Sequence, residues 1–147
     1  MSSEEHRKIA ITCFNAIWKI LGMESTSPSD ELEAIRLAQT STWHWHQCGE
    51  PVNFQRGEWI CSRVYVHFGH LEEALYHAKL CRELTERYDL KDFDLSYSYE
   101  AFARIYKKSK NEELFNHYLE LLIKSLDQVK DIEDRKVVEM DIESLKN

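Results

Sequence analysis

A chain of 147 residues is long enough to bury a core as one domain, and 43% hydrophobic content with four Trp, six Phe and seven Tyr excludes a disordered segment. The formal charge of −7 is uneven: Lys plus Arg against Asp plus Glu stand at 4 to 7 over residues 1–50, 10 to 9 over 51–110 and 5 to 10 over 111–147. An acidic body around a near-neutral centre argues against a nucleic-acid partner, and no apolar run reaches the length of a membrane span.

The first helix is predicted from about Ser3 to Leu21, with Ser2 and Glu5 forming a capping box and Gly22 as the stop. Its apolar residues Ile9, Cys13, Phe14, Ile17, Trp18 and Leu21 recur at helical spacing. The segment "MESTSPSD" is a loop, and Ser27 then Pro28 start a second helix that ends at Gly49. Trp43 and Trp45, within it, are expected to pack between helices. A third helix is predicted from about Phe54 to Phe68, after Pro51 and Asn53 restart the chain, and Gly69 ends it. The fourth spans about Leu71 to Tyr88 with a small apolar face, Leu71, Ala74, Leu75, Ala78 and Cys81. Asp92 or Asp94 caps a fifth helix reaching about Ser109, and a sixth follows from Asn111 to Val129. Asp131 caps a last helix to about Leu145, whose Ile132, Val137, Val138, Ile142 and Leu145 are expected to cover one end with acids outward. No sustained period-two run signals a strand.

The chain repeats itself. "SRVY" at Ser62–Tyr65 returns as "ARIY" at Ala103–Tyr106, a shift of 41, and "EAIRLA" at Glu33–Ala38 returns as "EALYHA" at Glu73–Ala78, a shift of 40. A weaker echo links "IWKILG", Ile17–Gly22, with "VYVHFG", Val64–Gly69. The organisation expected is three antiparallel helix pairs, about 8–48, 54–88 and 94–129, plus a capping helix at about 131–146. A lone amphipathic pair cannot bury both faces, so neighbouring pairs stack.

The middle pair resembles a tetratricopeptide repeat. Trp59, Ser62, Tyr65, Gly69, Ala74 and Cys81 stand near that pattern's aromatic, small, tyrosine, glycine and alanine places. It departs from the pattern in three ways: Trp59 is one place late, Cys81 replaces an alanine, and the closing proline is missing. The third pair is poorer, with Lys110 where the glycine belongs and Phe115 or Leu114 where an alanine belongs. The spacing near 40 also exceeds the usual period of about 34. "HW" at His44–Trp45, "GEPVN" at Gly49–Asn53, "RGEW" at Arg56–Trp59, "DFDL" at Asp92–Leu95, "YEAFAR" at Tyr99–Arg104 and "EDR" at Glu133–Arg135 look like a group of small bacterial tetratricopeptide-like proteins. No activity is assigned to that group. The resemblance implies an all-α, right-handed superhelix and a bacterial cytoplasm, and it transfers no catalytic residue.

The polar residues of the first helices of the pairs are the candidate site. Arg56 and Arg63 are seven apart and share one helix face; Arg104 is the repeat partner of Arg63, and Glu100 lies four before it. With Trp59, His67, Tyr99 and Lys107 they would line a concave groove suited to carboxylates, phosphates or acidic peptides, because the guanidinium fork matches two oxygens. The other reading of the same cluster is a structural ion network between pairs two and three. His44 and His46, two apart, point to different sides of a helix. His77 and Cys81 share a face, but no second half of a metal site has recognised spacing. The cysteines Cys13, Cys48, Cys61 and Cys81 form no close pair and suggest a reducing compartment, and the acidic start "MSSEEHRK" does not read as a signal peptide. No phosphate-binding, dinucleotide or nucleophile-elbow motif is present.

The expectation is a non-catalytic module that binds a protein or peptide bearing acidic groups, without cofactor, metal, nucleic acid or membrane. A ligand or signalling-peptide sensor, an enzyme with a groove-lining His/Glu/Arg site, and a homodimer are the alternatives.

Overall fold

Ser2 accepts the Glu5 amide at 3.1 Å while Glu5 accepts the Ser2 amide, so α1 (Ser3–Leu21) begins with its first orphan donors satisfied. Ser27 and Asp30 repeat the device at α2 (Pro28–Cys48). There follow α3 (Pro51–His67), α4 (Leu71–Arg87), α5 (Phe93–Ser109), α6 (Glu112–Ser125), a 3-10 turn (Leu126–Gln128) and α7 (Ile132–Lys146). This is a computed structural model, and it describes residues 1–147. The chain is all-α. No helix is long and apolar enough to cross a membrane.

Two predicted boundaries differ. α3 starts at Pro51 rather than Phe54, because the fixed φ of proline suits the first helical position, where no amide donor is needed. α6 ends at Ser125 instead of Val129, and the chain tightens into the 3-10 turn before buried Val129.

Three turns use the left-handed region, at Gly69 (φ 84°), Asp89 (φ 50°) and Lys110 (φ 62°). Each is followed by an amide that reaches back to a carbonyl five residues earlier: His70 to Tyr65, Leu90 to Thr85 and Asn111 to Tyr106, all at 2.9–3.0 Å. That bond closes the last helical turn and reverses the chain. Helices joined this way lie antiparallel. Ser41 bonds the Ala10 carbonyl across α1 and α2, Ser62 the Ala74 carbonyl across α3 and α4, and Ser96 meets Ser125 across α5 and α6.

The core runs through the stack in three clusters. Ile17, Ile20, Ala34, Ala38, Ile60 and Val64 fill the first, between α1, α2 and α3. Val66, Ala74, Ala78, Ala101 and Phe102 fill the second, and Tyr97, Leu122, Val138, Ile142 and Leu145 the third. The echoed alanines thus serve one purpose: Ala34, Ala38, Ala74 and Ala78 are all buried. α2 and α3 pack tightly at Gly57, where a Cβ would stand 2.9 Å from the Thr42 methyl. Trp59 packs against all three clusters.

The odd-numbered helices also touch one another, α1 with α3, α3 with α5 and α5 with α7. They form one layer, and α2, α4 and α6 pack behind it. α7 buries Val138, Ile142 and Leu145 as expected. Two expectations for α7 fail: Ile132 and Val137 are exposed, and Asp141 faces α5, where it accepts the Tyr97 hydroxyl hydrogen bond. One turn separates Asp141 from Val138, so it shares the packed face. Trp43 is 57% exposed rather than packed between helices; it lies one residue beyond buried Ser41 and Thr42, with one side of its ring against His6 of α1 at 5.8 Å. Trp45 is half-buried, under the Arg7 guanidinium.

Candidate functional site

Where α1, α3, α5 and α7 meet they enclose a cavity of about 490 Å³. α1 contributes Phe14 and Trp18, and α3 contributes Gln55, Arg56, Trp59 and Arg63. α5 adds Phe93, Asp94 and Tyr97, and α7 adds Asp134, Val137 and Asp141. The aromatic side chains form a continuous train: Trp18 lies 6.0 Å from Trp59, Trp59 meets Tyr97 edge-on at 5.1 Å, and Tyr97 lies 4.6 Å from Phe93. Such tilted and edge-to-face pairs hold each ring's orientation.

A second cavity of about 480 Å³ adjoins it, lined by Arg63, Val66, His67, Arg104, Lys107, Lys108, Lys110 and Ser144. One cavity is mostly apolar and the other basic, and Arg63 lines both.

The charges are unequally satisfied. Arg56 pairs with Asp94 through two bonds, at 2.8 and 3.2 Å. Arg104 donates twice to Glu100 at 2.8 Å and lies 3.7 Å from Asp141. Burial by itself would lower the Arg104 pKa, but the Glu100 carboxylate outweighs it and the net direction is upward. Arg63 makes no hydrogen bond or ion pair, and its pKa is depressed, first by burial and then by the Arg104 charge. The geometry holds a cation without a partner anion where two cavities join.

Gln55 is also incompletely satisfied. Its Nε2 donates to Thr85 Oγ1 at 3.1 Å and to the Asp94 carbonyl at 2.9 Å. A carbonyl only accepts, so the amide orientation is fixed. Gln55 Oε1 is then left buried without a donor.

The sequence candidates divide in three. Arg56, Trp59, Arg63, His67, Arg104 and Lys107 all line one or both cavities, and Lys107 also donates to the Ser144 carbonyl at 2.9 Å. Glu100 is buried behind them, holding Trp59 and Arg104. Tyr99 lines neither cavity; it packs against the third core cluster, because two residues along a helix turn it away from the Tyr97 face.

His44 and His77 lie elsewhere. His44 Nδ1 is 2.8 Å from His6 Nδ1 across α1 and α2, and its pKa is lowered by desolvation and then by His6. His77 bonds Glu58 at 2.7 Å and Gln39 at 3.1 Å and stacks on Tyr65, joining α2, α3 and α4. Its neighbour Cys81 is buried, with a thiol pKa pushed far up by desolvation. No group of three or more His, Cys, Asp or Glu is placed to hold a metal ion.

Sequence reasoning did not pick out Phe14, Trp18, Gln55, Phe93, Asp94, Tyr97, Asp134, Val137 or Asp141 as site residues. A signal existed. The 41-residue interval that separates Trp59 from its partner Glu100 also separates Trp18 from Trp59 and Glu100 from Asp141. It likewise steps from Phe14 to Gln55 and, through Ser96, to Val137. Carrying the period across all four odd helices would have drawn the cavity wall.

Comparisons with protein-family models, with curated proteins and with solved structures find no match to this chain.

Proposed function

We propose that this chain is a non-catalytic protein- or peptide-binding module, built as a tetratricopeptide-like stack of helix pairs, with its groove along the odd-numbered helices. The observation that carries the proposal is Arg63, an unpaired cation at the junction of an aromatic cavity and a basic one. Aromatic and arginine side chains in half-buried settings are the usual energetic anchors of interfaces. The groove side chains stand on helices, held by Trp59–Glu100 and Arg56–Asp94, so little order has to be gained on binding. Four free thiols, two of them buried, suit the reducing bacterial cytoplasm in which this reading has it work.

The test is a capture experiment with the purified chain as bait, comparing wild type with Arg63→Ala and with Tyr76→Ala on exposed α4. A partner retained by Tyr76→Ala and lost by Arg63→Ala, with both variants folded by circular dichroism, supports the groove. A partner retained equally by both rejects it.

A second reading, a sensor of a small ligand, draws on the size of the aromatic cavity, which lies within the range of small-molecule sites. A thermal-shift screen separates the two: a small anionic aromatic compound that raises Tm in the wild type and not in Arg63→Ala favours the sensor.

A further inference from the structure

The two cavities ask for different chemistry, and together they specify a peptide composition. The inference rests on the peptide-binding reading above and deepens it.

Of the three carboxylates that line the aromatic cavity, two are already in use. Asp94 is engaged by Arg56, and Asp141 accepts from Tyr97 and faces Arg104. Asp134 forms no ion pair, and Arg63 is the free cation of the same cavity, so a lysine or arginine entering there would meet one open carboxylate and one like charge. Among the buried side-chain polar atoms of the cavity wall, Gln55 Oε1 is the acceptor left without a donor. A phenyl ring would fill the apolar walls but leave that acceptor alone. An indole or phenol fills the same walls and brings an N–H or O–H.

The basic cavity has the opposite surplus. Arg63 is unpaired, and neither Lys108 nor Lys110 has a carboxylate partner. Arg104 is largely neutralised by Glu100 and Lys107 is held by the Ser144 carbonyl, so two acidic groups would offset about half of the cavity's remaining positive charge. The distance between the demands is set by α3. Trp59, Arg63 and His67 follow one another at one-turn steps, so Trp59 and His67 lie about 12 Å apart at 1.5 Å per residue. An extended peptide advances about 3.4 Å per residue, which corresponds to about three or four residues.

We propose that the groove binds a peptide carrying a tyrosine or tryptophan anchor with two acidic side chains within about four residues of it. The aromatic ring rests against Trp59 and Trp18 with its donor toward Gln55 Oε1, and the acids meet Arg63 and the lysines of α5.

The test selects displayed random dodecapeptides on the immobilised wild-type chain, then measures Kd for the best sequence and its single changes. The expected result is enrichment of tyrosine or tryptophan with acids two to four residues away. Exchanging the anchor tyrosine for phenylalanine then weakens binding roughly fivefold to tenfold, as one net hydrogen bond predicts. Exchanging both acids for amides, or using Arg63→Gln, weakens it at least tenfold, and added salt does the same. Enrichment of basic or purely aliphatic peptides, or equal affinity of the phenylalanine form, overturns this inference and leaves the peptide-binding reading standing. A selection that enriches no peptide overturns both.

Discussion

Trp59 donates its indole N–H to Glu100 Oε1 at 3.0 Å, and the other oxygen of the same carboxylate takes the Arg104 guanidinium at 2.8 Å. One carboxylate therefore fixes an aromatic wall of the first cavity and a cationic wall of the second. With a side chain only 2% exposed, it works in a medium that screens little.

Removing the carboxylate should be severe. Glu100→Ala leaves the Trp59 N–H without its acceptor and Arg104 with only Asp141 at 3.7 Å. Breaking a buried pair in this way costs about 3–5 kcal/mol. Urea unfolding measures it, and a loss below about 1 kcal/mol would show the network to be incidental to the fold.

Removing Arg63 should cost almost nothing in stability. It has no hydrogen bond or ion pair to lose, and its removal relieves repulsion with Arg104 while giving up the weaker attraction of Glu100 and Asp141. Arg63→Gln is expected to unfold within about 0.5 kcal/mol of wild type or above it, because burial and the Arg104 charge together disfavour the cation that the substitution removes. A loss beyond about 1 kcal/mol would place Arg63 among the structural ions.

His67 reports on the basic cavity. Its pKa lies below the ordinary 6.5, first because burial disfavours the cation and then because Arg63, Lys108 and Arg104 repel it. The unfolded chain holds the proton more readily, so the stability this histidine contributes is complete above 6.5 and is lost as pH falls below it toward the folded pKa. An NMR titration of the His67 ring should give a midpoint below 6.5 in wild type and a higher one in Arg63→Gln. Identical midpoints in the two proteins would contradict the shared field.

At Gly57 the helix-propensity gain from alanine, about 1 kcal/mol, competes with a Cβ placed 2.9 Å from Thr42. Thr42 is β-branched and bonded to the Ala38 and Gly57 carbonyls, so it cannot yield cheaply. Overpacking of about 1–3 kcal/mol should win, and Gly57→Ala should unfold at lower urea than wild type. An equal or higher midpoint would mean that α2 and α3 can slide apart.

Lys110 sits at φ 62°, where a non-glycine residue carries strain of about 1–2 kcal/mol. Lys110→Gly relieves it and adds unfolded-chain entropy in part compensation, so a net gain of about 0.5 kcal/mol is expected from chemical denaturation. A net loss would show that the lysine stem packs on its surroundings.

Local chemistry determined the elements. The Ser2–Glu5 and Ser27–Asp30 caps, the glycine turn at Gly69 and the alanines of the two echoes act within one helix or between consecutive ones, and such contacts leave periodic marks in a sequence. The same period put Arg63 and Arg104 on equivalent faces, and both do line the basic cavity. What the tertiary structure decided is which neighbours use up which charges. Arg56, Arg63 and Arg104 read alike as residues of one face, but Asp94 engages the first, Glu100 and Asp141 the third, and nothing the second. Tyr97 rather than Tyr99 became a groove wall, and Asp141 turned inward against the expectation of a solvated acidic cap. Those outcomes depend on the rotation of one helix against another about 40 positions away, set by core packing around Trp59, and a linear pattern of residue types carries no record of that angle.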